Sequence, residues 1–126
     1  LLAHLQYPDH VLVLSLFILD ELDRVLRYPR LRALHGLTDD EIDEFVGSVA
    51  SAAFVVATPA NPPAWVAADP DDNVVIATAI AGRAGVLCTL DRHLRQNQVA
   101  ELLRQSGIDV VTDVELLDRL RKSANP

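Results

Sequence analysis

Four short apolar runs alternate with longer segments of helical spacing, and this alternation restricts the fold more than any other feature of the chain. Residues 11–14, 54–57, 86–89 and 110–111 are short and rich in Val, Leu and Phe, which predicts strands. Residues 16–28 place apolar side chains at positions 18, 19, 22, 25 and 26, with Asp20, Glu21, Asp23, Arg24 and Arg27 on the other sides. That spacing predicts a helix, with Ser15 as its N-cap and Pro29 as its stop. Thr38-Asp39-Asp40-Glu41 has the form of a capping box and opens a second helix through about Ala52. Further helices are expected over residues 72–84, with Gly85 at the end, over 95–106, and from a cap at Thr112 to about Lys122. Strands that alternate with helices return to the same end of the sheet and pair in parallel. The expected fold is α/β, a three-layer sandwich with a central parallel sheet flanked by helices, in a single domain over residues 1–126.

The acids are not spread evenly over this pattern. Asp69-Pro70-Asp71-Asp72-Asn73 opens the third of the long helices, and Asp91 lies two residues beyond the third strand. A single Asp satisfies the free amides of a first turn, so this run exceeds what capping needs. Loops at the carboxyl ends of parallel strands converge on one edge of the sheet, which directs Asp91 and the start of that helix to a common place. Glu21, a turn and a half into the first helix, is close enough to the same edge to reach inward. Carboxylates gathered in this way repel one another and raise one another's pKa, so the cluster implies bound divalent cations. An oxygen donor set with no His or Cys partner favours Mg²⁺ or Mn²⁺ over Zn²⁺.

Composition removes several other classes of function. The net charge of −7 is opposite to the basic face of a passive nucleic-acid binder, although a nuclease whose acids are neutralised by metal ions remains open. Ten of the eleven basic residues are Arg, and the one Lys, Lys122, is expected in a ragged C-terminal tail. Mechanisms that need a catalytic lysine are thereby excluded. Cys88 is the only cysteine, so no internal disulfide forms, and its apolar surroundings predict a buried thiol. The longest apolar stretch, residues 11–19, is interrupted by Ser15 and falls short of the roughly 20 residues that cross a bilayer. No Lys or Arg precedes it as a secretory signal requires, and a cytoplasmic protein without membrane attachment is expected.

Together the motifs carry a resemblance. Ser15-x-x-Ile18-Leu19-x-Glu21-Leu22-x-x-Val25-Leu26-x-Tyr28-Pro29-Arg30-Leu31 is followed by the Thr38-Asp39-Asp40-Glu41-Ile42 helix start. Asp69-Pro70-Asp71-Asp72-Asn73-x-x-Ile76-x-x-Ala79 and Thr89-x-Asp91 complete the series. In this order they resemble a PIN-domain protein, and within that family they are most similar to toxin components of toxin-antitoxin systems, the VapC-type ribonucleases. The resemblance implies RNA phosphodiester cleavage by four acids around one or two Mg²⁺ or Mn²⁺ ions, a cognate antitoxin protein and a homodimer. Glu21 matches the family's helix-borne Glu, Asp72 the third acid, and Asp91 the acid after the fourth strand, with Asp71 and Asp69 as alternatives for the third place. The family's first strand ends in Asp-Thr-Asn, whereas Leu1-Leu2-Ala3-His4-Leu5 resembles the helix that follows it. The domain is therefore expected to be N-terminally incomplete by roughly 25 to 35 residues, with one acid upstream.

Each of these residues also has an ordinary structural reading. Asp72 serves equally well as an N-cap, Glu21 as a solvated helix residue, and Asp91 as a turn acid paired with a neighbouring Arg. His4, His10, His35 and His93 show no metal-ligand spacing and are assigned no role. Trp65, in the proline-rich segment 58–70, reads as a hydrophobic plug under a loop, and Arg92 and Arg95 as solvated residues beside a helix start. Two competing functions remain. One is a non-catalytic PIN-like domain that binds a partner. The other is an Mg-dependent phospho-acceptor or phosphatase domain, disfavoured because those sites use a lysine near the acids.

Overall fold

The structure, a computed structural model, describes residues 10–66 and 69–124. The Leu1–Leu5 segment expected to resemble a helix lies outside the described residues. In chain order the elements are β1 (Val13–Ser15), α1 (Leu16–Leu26), α2 (Pro29–His35), α3 (Asp39–Ala52) and β2 (Phe54–Val56). They continue with α4 (Pro70–Ala81), β3 (Val86–Cys88), α5 (Asn97–Gln105), β4 (Asp109–Val111) and α6 (Asp113–Ala124).

Local chemistry accounts for most of these boundaries. Ser15 caps α1 as expected, its hydroxyl accepting from the Ile18 amide at 3.4 Å, and Thr58 Oγ1 accepts from the Phe17 amide at 3.1 Å. Thr38 and Glu41 exchange both hydrogen bonds of the capping box, at 3.1 and 3.2 Å. The sequence reading treated Pro29 only as a stop. It also starts α2, because proline at the first helical position needs no amide partner and already has a helical φ. Gly36, at φ 66°, ends that helix in the left-handed conformation that glycine adopts without strain. Lys122 is helical rather than part of a ragged tail, and its ammonium pairs with Asp118 at 2.9 Å on an exposed face of α6.

All strand pairing is parallel, as the alternation requires. β1 pairs with β2 in the register Val13↔Phe54, and β3 with β4 in the register Val86↔Asp109. Among the described residues these are two separate pairs, with no ladder joining β1 to β3, where a single central sheet was expected. Helix α4 occupies the ground between them. Asp72, Asn73, Ile76, Ala77, Thr78 and Ala79 are all buried, so the helix is covered on several sides rather than along one stripe. Towards β3 and β4 its Ile76 and Ala79 join Val66, Leu94, Val99, Leu103 and Ile108 in the main core, with Trp65 and Leu87 packed against it. Towards β1, Thr78 shares a buried hydrogen bond of 3.0 Å with Ser15 and donates to the Val74 carbonyl at 2.8 Å.

Cys88 is exposed, contrary to the buried thiol expected from its sequence. Successive strand residues point to opposite faces, and in β3 it is Leu87 that packs against the core. Trp65 fulfils its expected role, lying partly buried against the same core.

Gly82 marks the closest approach of α4 to β1. A Cβ at this position would lie 2.3 Å from Val13 Cγ1. The β-branched Val13 has little rotamer freedom with which to yield. We expect Gly82→Ala to destabilise the fold by about 1–3 kcal/mol through overpacking. In a double-mutant cycle read by urea unfolding, Gly82→Ala combined with Val13→Ala should cost less than the sum of the single variants. Simple additivity would show that the two residues do not meet.

Candidate metal centre

Asp69, not Asp72, caps α4: its Oδ1 accepts from the Asp71 amide at 3.0 Å, and Pro70 takes the first helical position. Asp72 is thereby left inside the first turn with no capping duty. Its side chain is only 10% exposed, and among the described residues Oδ2 has no hydrogen-bond partner. Burial first, then the charges of Asp91 and Asp69, push its carboxyl above the usual carboxylate range, while His93 acts in the opposite direction. A buried carboxylate oxygen without a donor is costly, and it marks a position where a cation would be stabilising.

The helix start is held in place by Asn73, which is 5% exposed. Its Oδ1 accepts from the Val66 amide at 2.8 Å and its Nδ2 donates to the Val66 carbonyl at 3.1 Å. This two-point clamp fixes the end of the proline-rich segment against α4, one residue from Asp72.

Opposite Asp72 lies the turn that follows β3. The Thr89 amide bonds to the Val111 carbonyl at 2.9 Å, and Thr89 Oγ1 accepts from the Asp91 amide at 3.0 Å. Asp91 Oδ1 in turn accepts from the His93 amide at 2.7 Å, while Arg95 donates to the Leu90 carbonyl at 3.2 Å. Leu94, 3% exposed, anchors the turn in the core. These short bonds present the Asp91 carboxylate and the His93 imidazole side by side. His93 Nδ1 stands 3.6 Å from Asp91 Oδ1 and 3.7 Å from Asp72 Oδ2. One ligand atom from each of Asp72, Asp91 and His93 lies within 4.8 Å of the other two.

A divalent ion fits this donor set. Donors about 2.1 Å from a hard cation stand about 3 Å apart when adjacent and about 4.2 Å apart when opposite, which brackets the two imidazole distances. The other candidate acids lie outside the trio. Glu21 is partly exposed on α1 and bonds to Arg24 one turn along, and Asp71 is exposed beside its cap. His93 had been given no role because it has no partner at ligand spacing along the chain. The available signal was an Asp-x-His in a turn leaving a strand, where an amide bond to the Asp side chain sets the His beside it.

The comparison with known families decides the affiliation of the chain. The PIN domain family model matches residues 1–93, a span that includes Asp72, Asp91 and His93. The chain belongs to the PIN domain family. Neither the curated proteins nor the solved structures gave a match. The parallel strand pairs and surrounding helices agree with the α/β fold of a PIN domain, a fold of nuclease type.

Two outcomes follow for this PIN domain without metal. A carboxyl whose pKa is raised by folding binds more protons folded than unfolded, so it lowers stability as the pH climbs from the ordinary carboxylate value through the raised one. The stability of Asp72→Asn relative to the unaltered protein, from urea midpoints in EDTA, should therefore increase between about pH 4 and pH 7. A difference independent of pH would place the repulsion elsewhere. Asn73→Ala, which leaves the Val66 amide and carbonyl unpaired, should cost about 2–3 kcal/mol and expose residues 58–66 to limited proteolysis.

Proposed function

We propose that this PIN domain is a metal-dependent endoribonuclease and acts as the toxin of a toxin-antitoxin system. The observation that carries the reading is the unpartnered, buried Oδ2 of Asp72 facing Asp91 and His93 across a gap of cation size. Asp72 and Asp91 would hold Mg²⁺ or Mn²⁺. When bound, such an ion polarises a phosphoryl oxygen and makes water a competent nucleophile at neutral pH.

The side chains divide the remaining work by exposure. Asp72 is the buried wall of the site, held by the Asn73 clamp below it. Asp91 is 40% exposed, which leaves its carboxylate on the side from which a phosphodiester would arrive. Arg92 and Arg95, both exposed in the same turn, offer donors for flanking phosphates, which a chain of net charge −7 does not attract from a distance. Glu21 is retained as the helix-borne acid of the site. The Ser15 to Thr78 hydrogen bond ties the start of α1 to α4, and Glu21 would need to leave Arg24 to join the cluster. Asp71 stands as an alternative to Asp72 for the third acid's place. A cognate antitoxin that covers the acidic cleft and a homodimer complete the proposal on the strength of the ordered motifs, together with a cytoplasmic location.

The test is cleavage of RNA by the protein expressed from its complete reading frame, with Mn²⁺ or Mg²⁺ against EDTA. We expect metal-dependent cleavage that falls by about 100-fold or more in Asp91→Asn and in Asp72→Asn. If the folded, metal-loaded protein leaves RNA intact, the PIN fold serves to bind a partner instead. The phospho-acceptor alternative has no support, since Lys122 is engaged with Asp118 on α6.

A further inference from the structure

We infer that His93 is a nitrogen ligand of the site and gives it a preference for Mn²⁺ over Mg²⁺. The inference rests on the proposed metal site and extends it, because a site of carboxylates alone has no strong reason to discriminate between these ions.

The geometry suits ligation better than a hydrogen-bonded charge pair. An imidazole that only neutralised two acids would settle at hydrogen-bond distance from one of them, between about 2.7 and 3.2 Å. His93 Nδ1 instead faces Asp72 Oδ2 at 3.7 Å and Asp91 Oδ1 at 3.6 Å, too far to bond to either. The Asp72 oxygen that it faces is the one without a hydrogen-bond partner among the described residues. The placement is built into the chain: the His93 amide bonds to the same Asp91 oxygen at 2.7 Å, and buried Leu94 fixes the next residue. The ring is 46% exposed, which leaves it open to solvent and to an ion.

Chemistry then sets the selectivity. Mg²⁺ is a hard ion that keeps oxygen ligands and waters, whereas Mn²⁺, although the weakest binder of the first-row series, takes a nitrogen ligand more readily than Mg²⁺ does. One nitrogen among the donors therefore costs Mg²⁺ a favourable ligand and supplies one to Mn²⁺. In a site of this composition Mn²⁺ is the ion held at the lower free concentration.

The experiment measures binding and leaves activity aside. Mn²⁺ and Mg²⁺ affinities are taken by calorimetry on the full chain and on His93→Gln, His93→Ala, Asp72→Asn and Asp91→Asn. Pulsed electron paramagnetic resonance is recorded on the Mn²⁺-loaded unaltered protein. The expected result is an imidazole ¹⁴N coupling in the unaltered protein that is absent from both His93 variants. Their Mn²⁺ Kd should rise about tenfold or more while the Mg²⁺ Kd changes less than about threefold. Absence of the nitrogen coupling, or equal weakening of both ions, overturns the role of His93. If Mn²⁺ binding is nevertheless lost in Asp91→Asn and Asp72→Asn, the metal site stands without His93. Binding indifferent to both Asp variants, or no binding at all, overturns the site and the inference together.

Discussion

Burial of α4 between the two strand pairs is the constraint on which the rest of the arrangement depends. A helix with Ile76 and Ala79 in the main core and Thr78 against Ser15 has no solvated side broad enough to let it rotate or slide. Small residues make this possible. Ala77 and Ala79 let neighbours close in, and Gly82 admits Val13 where a Cβ would collide with it. The buried hydroxyl of Thr78 is satisfied by its own helix and by Ser15, as a buried hydroxyl must be. With α4 fixed in this way, the direction of its N-terminus, and with it the location of Asp72, is fixed as well.

The same burial creates a local conflict. Everywhere else along α4 the buried groups are apolar or bonded, yet the first turn contains a carboxylate with one oxygen that finds no donor among the described residues. A buried acceptor left in that state costs about 1–3 kcal/mol, more when it is charged. Stability alone would favour Asn at this position, or an apolar residue. Departures of this kind from internal consistency concentrate at functional sites, where an external ligand completes the balance. The neighbouring residues do not relieve the strain: Asp69 is used as the cap, Asp91 adds repulsion, and Asn73 spends both ends of its amide on Val66.

Charge elsewhere on the molecule is arranged differently. Arg27 bridges Asp23 of its own helix and Asp39 and Asp43 of α3, and Arg32 also reaches Asp39, so Asp39 and Asp43 are matched by guanidinium groups. These pairs are exposed and contribute modestly, but they align α1 with α3. At the edge that carries Asp72 and Asp91 the nearest basic partner is a histidine. What distinguishes this edge within an acidic surface is that its Asp72 carboxylate is buried as well as short of a cationic partner.

Much of this was legible in the residues themselves. The capping motifs at Ser15 and Thr38, the strand positions to within one or two residues and the parallel pairing all follow from local periodicity and turn chemistry, which act over a few residues. The density of acids at Asp69–Asp72 was legible as an excess over what capping consumes. Other features depended on contacts between distant segments. Pro29 looked like a terminator because nothing in its neighbourhood announces that α2 would pack back beside α1. Cys88 looked buried because an apolar run does not say which of its alternate faces meets the core. His93 was invisible as a site residue, since its nearest carboxylate in space besides Asp91 is Asp72, far back in the chain. The sequence by itself determined the elements, their order and the chemistry available, because propensity, caps and charge act locally. Only the tertiary structure decided which oxygen is stranded and which side chains face it, because burial and ligand geometry exist only once distant segments are packed together.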